Sequence, residues 1–100
     1  MNNIESKDWD VEVLQSKVPV IVDFFAEWCG PCKTMSTVLD QLEKDHKNVK
    51  IVKYDITDES LAKTHSIKSI PTLVLFTEGK ETSRISGLVN LQKVKDTFAI

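Results

Sequence analysis

A chain of 100 residues with 41% apolar content has the size of a single domain, with enough apolar side chains to fill one core. The 13 Lys and Arg against 15 Asp and Glu leave a net charge of -2, too little positive charge to hold phosphate backbones, so nucleic acid is excluded as a main partner. Three Gly, three Pro and 28% charged residues exclude low-complexity or collagen-like sequence.

The opening residues, Met1 to Asp10, lack the basic start and apolar middle of a secretory signal. The longest mostly apolar stretch, Val18 to Ala26, falls far short of the roughly 20 residues a membrane-spanning helix needs. A cytoplasmic protein without membrane attachment is therefore expected. The only cysteines are Cys29 and Cys32, too few for a secreted disulfide scaffold and too close to staple distant elements. Their role is local: redox chemistry or metal.

In chain order, Trp9, Val11 and Val13 alternate as in a strand, but Ser6 in a cap position and the spacing of Trp9, Val13 and Leu14 favour a first helix. Val18 to Ala26 is β-branched and aromatic without polar alternation, the pattern of a central strand buried on both faces. Met35, Val38, Leu39 and Leu42 then lie on one helical face, predicting a helix from about Cys32 to His46. Val49 to Ile56 follows as a strand, so the three elements form a βαβ unit with parallel strands. A short helix is predicted from about Asp58 to His65, capped by Thr57 or Asp58. Pro71 to Thr77 and Glu81 to Ser86 form an antiparallel hairpin around Glu78-Gly79-Lys80. Asn90 caps a last helix that buries Leu91, Val94 and Phe98 and reaches Ile100. The fold class is α/β, a mixed central sheet with helices on both faces, in one domain over residues 1–100.

Trp28-Cys29-Gly30-Pro31-Cys32-Lys33 stands where the central strand ends and the long helix begins. The positive end of a helix dipole stabilises a thiolate, which makes Cys29 the nucleophile. Cys32 lies one turn on along the same face, within reach for a small, breakable ring, and Pro31 suits a first turn because it lacks an N–H. The competing assignment is half a zinc site, since His46 fits the first part of a finger spacing. His65 is too far along the chain to complete it. Asp23 interrupts the apolar strand, where an ionised carboxylate is costly unless paired. It is read as the proton acceptor for Cys32, with Lys53 on the adjacent strand as its charge partner or else facing solvent.

Val22-Asp-Phe-Phe-Ala-Glu-Trp-Cys-Gly-Pro-Cys-Lys33, then Ser69-Ile-Pro-Thr-Leu-Val-Leu-Phe76, then Gly79 and Gly87, resemble the thioredoxin family from about residue 5 onward. That resemblance implies a five-stranded sheet with four helices and a cis proline, here Pro71, facing the cysteine pair. It implies a partner-binding groove edged by Trp28, Ile70, Pro71, Gly87 and Leu88, with Gly30 and Pro31 tuning the redox potential. Asp23 and Lys53 match the family's buried proton-transfer pair.

The sequence departs from the family in several places. Phe25 replaces a common second Trp, Thr37 replaces a helix-kinking proline, and His65-Ser66 stands where an aromatic residue and a glycine are common. The Thr37 substitution implies a straighter helix. The short N-terminal stretch leaves the first edge strand unassigned.

The function expected is protein-disulfide reduction by thiol–disulfide exchange through Cys29 and Cys32, by a monomer with no bound cofactor. The resemblance implies electrons from NADPH through a flavin-dependent thioredoxin reductase. The partners it implies are disulfide-containing proteins such as reductases and peroxidases that need dithiol recycling. The alternative is an assembly subunit of the same fold, for which redox turnover is secondary.

Overall fold

The computed structural model describes residues 1–100. Five strands form one sheet: β1 (Asn2–Ile4), β2 (Val20–Phe25), β3 (Lys50–Asp55), β4 (Thr72–Thr77) and β5 (Lys80–Ser86), in the order β1-β3-β2-β4-β5. The first three run parallel, and β4 and β5 are antiparallel to their neighbours. All six residues of β2 are buried, as its unbroken apolar run requires of the middle strand. Helix α1 (Gly30–Asp45) crosses over between β2 and β3, α2 (Glu59–Thr64) follows β3, and α3 (Leu91–Phe98) closes the chain.

The two sides of each strand feed different cores, because alternate residues point to opposite faces. Ile21 and Ile51 join Met35, Leu39 and Leu42 of α1 and Val94 and Phe98 of α3. Val20, Val22, Phe24, Val52 and Tyr54 pack on the other face against Trp9 and Val13, with Leu61 of α2 beside them. Asp23 and Lys53 therefore share the α1 face, side by side in the parallel register of β2 and β3.

The N-terminal segment combines both of its competing patterns. Asn2–Ile4 is an edge strand paired with β3, so the family's first strand is present. The predicted helix is two short turns, a 3-10 turn over Ser6–Asp8 and a π turn over Asp10–Leu14, which bury Trp9 and Val13 and leave Leu14 exposed. Ser6 is not the cap. The Glu5 amide donates to the Asp8 carboxylate at 3.0 Å, and the Ser6 hydroxyl donates to Asp58 instead.

Elsewhere the boundaries move by a residue or two. Helix α1 starts at Gly30 rather than Cys32 and runs unbroken past Thr37. Asp58, not Thr57, precedes α2. Lys80 belongs to β5, because Glu78 and Gly79 alone make the turn, both with positive φ (52° and 79°), as a two-residue primed hairpin turn demands. The Asn90 side chain caps α3 by accepting the Lys93 amide N–H at 2.9 Å.

Candidate active site

Strand β2 delivers the chain at Phe25, and the first turn of α1 begins four residues after Ala26. Cys29 is the N-cap of α1, and its Sγ accepts the Cys32 backbone N–H at 3.1 Å. The helix N-terminus thus donates directly to the sulfur predicted as nucleophile, where the aligned peptide dipoles favour negative charge. Cys29 and Cys32 are joined as a disulfide, with Cα atoms 5.2 Å apart. Gly30 and Pro31 occupy the first two helical positions between them, both exposed.

The sulfurs sit in an apolar nest of Phe25 and Ala26, with Ile56 and Ile70 packed against it. Cys29 is 6% exposed and Cys32 2%, so Cys29 lies nearer the surface and Cys32 deeper. Trp28 beside them is 74% exposed, an apolar area no internal contact accounts for. Trp28 and Ile70 share a depression of about 330 Å³ with Ile56, Ala62, Ile67 and Lys68 among its walls. Sequence reasoning missed the side of this depression formed by Ile56, Ala62 and Ile67. Those residues gather only when the end of β3, α2 and the loop after it come together.

The Ile70–Pro71 peptide is cis and Pro71 is buried. The Pro71 carbonyl accepts the Gly87 N–H at 2.8 Å, so the two predicted groove loops are tied through their backbones. Gly87 has a φ of 88°, a conformation glycine adopts without strain. Leu88 is half exposed, but neither it nor Gly87 lines the depression beside Trp28.

Two residues before Phe25 on the same face of β2, Asp23 is wholly buried and neither carboxylate oxygen has a hydrogen-bond partner. Burial pushes its pKa up from 3.8 to about 6, partly opposed by the nearby charge of Lys53. Lys53 is half-buried rather than solvent-facing. Its ammonium donates to the Ser36 hydroxyl at 3.1 Å and stands 4.3 Å over the centre of the Phe25 ring. Ser36 was not anticipated, although it lies four residues after Cys32 on the same face of α1. A small cavity of about 40 Å³, room for one water, touches Cys32, Lys53 and Phe25, with Glu27 and Lys33 at its rim.

The histidines play no part in this site. His65 lies among Trp9, Phe24 and Phe76, with ring centroids 5.1 to 6.4 Å apart. Ser66 next to it has a φ of 55°, which explains why glycine is common at that point of the family pattern.

Comparison with known proteins agrees with this geometry. The sequence profile of the thioredoxin family matches residues 1–99. The chain belongs to the thioredoxin family. It is 38% identical over 97 residues to a thioredoxin of Rickettsia felis, covering 95% of this chain and 92% of that protein. It is 44% identical over 90 residues to thioredoxin 1 of Synechococcus elongatus, covering 87% and 83%. It is also 40% identical over 99 residues to the chloroplastic thioredoxin M4 of Arabidopsis thaliana, covering 96% of this chain but only 51%, about half, of that protein. With the paired cysteines at the head of α1, family membership makes the protein a dithiol–disulfide oxidoreductase.

Proposed function

We propose that the protein works as a reductant of partner-protein disulfides, with Cys29 attacking and Cys32 resolving. The observation that carries this is the position of Cys29: the outer sulfur of the pair, receiving a backbone N–H from the first turn of a 16-residue helix. In the reduced protein the same N–H stabilises a thiolate there. That thiolate attacks one sulfur of the partner's disulfide. The partner's S–S bond breaks, its other sulfur leaves as a thiolate, and a mixed disulfide to Cys29 remains.

Cys32 gives its proton to the Asp23 carboxylate and attacks the Cys29 sulfur. The partner leaves with two reduced sulfurs, and the Cys29–Cys32 disulfide holds the oxidation. Trp28, Ile70, Pro71, Gly87 and Leu88 form the docking surface in this reading, supported by the exposed indole and the tied loops. Gly30 and Pro31, the only residues between the sulfurs, set the potential.

The two electrons are restored by NADPH through a flavin-dependent thioredoxin reductase, and the partners are proteins such as reductases and peroxidases whose disulfides must be reopened. The protein acts as a monomer and in the cytoplasm, the compartment being supported by the confinement of both its cysteines to this site.

Insulin-disulfide reduction with dithiothreitol tests the core of this reading, with wild type fast and Cys29→Ser at the uncatalysed rate. Cys32→Ser should hold partners as mixed disulfides on a non-reducing gel, and Cys29→Ser should hold almost none. Equal trapping by both variants would refute the assignment of Cys29.

A further inference from the structure

Asp23 and Lys53 are register partners on adjacent parallel strands and share the α1 face. Strands lie about 4.8 Å apart, so a lysine beside an aspartate in this register can reach its carboxylate easily. Yet both Asp23 oxygens are without a partner, while the Lys53 ammonium is bound to Ser36 and lies over Phe25. A buried carboxylate next to a lysine is a strong competitor for that cation, because opposite charges attract most where water is excluded. Something must hold the lysine away.

We propose that Ser36, with the Phe25 ring, is a positioning residue that holds the Lys53 ammonium off Asp23 and so keeps this carboxylate free to accept a proton. The hydroxyl supplies an acceptor and the ring face supplies a cation site, so Lys53 stays satisfied at the rim rather than closing an ion pair inward. An ion-paired Asp23 would be a weaker base, since a neighbouring cation favours its charged form. Cys32, Glu27 and Lys33 share a small cavity with Lys53 that Asp23 itself does not line. The neighbour of Asp23 on β4 is Leu73, which carries no charge. Lys53 is the one charged neighbour whose field reaches Asp23. The inference rests on the reading of Asp23 as the proton acceptor of Cys32.

The test follows the Asp23 carboxyl carbon by NMR against pH in the oxidised protein, where the two sulfurs do not titrate. Ser36→Ala removes the acceptor and frees Lys53, so the Asp23 midpoint should fall by about one pH unit. Ser36→Thr keeps a hydroxyl and should restore the wild-type midpoint. In a Lys53→Met background, Ser36→Ala should change nothing, because Ser36 acts only through the lysine.

A midpoint that is unmoved or rises in Ser36→Ala would overturn the proposal, and so would a fall that persists without Lys53. Insulin reduction against pH supplies the second readout, with the acid limb of the rate moving down together with the Asp23 midpoint. If the midpoint moves and the rate profile does not, Ser36 positions Lys53 as proposed, and the assignment of Asp23 as base to Cys32 is the part that fails.

Discussion

Replacing Asp23 with Asn keeps the shape of a wholly buried side chain and removes its ionisation. The folded pKa of Asp23 is raised from 3.8 to about 6, so between these values the native state binds more protons than the unfolded state. Stability therefore falls as pH rises through that window and is flat on either side. At pH 8 the ionised carboxylate costs about 3 kcal/mol, from about 1.4 kcal/mol per pH unit; at pH 5 it costs about half as much, and at pH 3 almost nothing. The Asp23 oxygens have no hydrogen-bond partner, so an amide of the same shape is expected to lose no hydrogen bond that the acid makes. Urea unfolding at pH 8 should show Asp23→Asn more stable by about 3 kcal/mol, a midpoint shift of roughly 1 to 3 M, with the two curves converging by pH 3. Insulin reduction at pH 7 should be slower in the same variant. A variant less stable than wild type at pH 8, or a stability gain that does not shrink toward pH 3, would refute the account of Asp23 as a buried, unpartnered carboxylate.

Two departures from the family pattern make further predictions. His65 is packed among aromatic rings, and desolvation first, then the charge of Arg84, lowers its pKa below 6.5 against the opposing pull of Glu81. The unfolded chain then binds more protons, so a destabilisation sets in as pH falls below 6.5 and levels off once pH lies below the folded value; His65→Phe should remove that part of the slope in thermal unfolding between pH 7 and pH 4. Ser66 holds a left-handed conformation, so Ser66→Gly should raise stability by up to about 1 kcal/mol in urea unfolding, and Ser66→Val should lower it.

The parts of this molecule that were legible in the sequence are those whose signal is local. The β2 run, the stripe of α1 and the Asn90 cap each carry their own pattern, and the cysteine pair sits at a strand-to-helix junction that defines its chemistry. Asp23 was legible because a lone carboxylate in an apolar strand contradicts its surroundings.

The edge strand was not, because Asn2-Asn3-Ile4 has no strand pattern of its own. It pairs because β3 offers an open parallel edge, a fact that arises only once the sheet exists. The destination of Lys53 was hidden for the same reason: its acceptor is 17 residues away on α1, and nothing in either local pattern links the two. The wall of the depression near Trp28 likewise joins Ile56, at the end of β3, to Ile67, beyond α2.

Placing an ionisable group where Asp23 stands has a cost that bears on what it is for. A penalty of about 3 kcal/mol at neutral pH is a large fraction of the 5 to 15 kcal/mol that holds an average domain together. Structural aspartates offset burial by accepting hydrogen bonds or closing ion pairs, and this one does neither, although Lys53 is its register partner. The lysine is instead held by a hydroxyl and a ring on the side of Cys32. An arrangement that leaves a carboxylate unpaired next to an available cation gives up stability in the resting oxidised form. On the proposed reading of Asp23 as the proton acceptor of Cys32, the compensating gain lies in the reduced state of the same site, when Cys32 is a thiol with a proton to give.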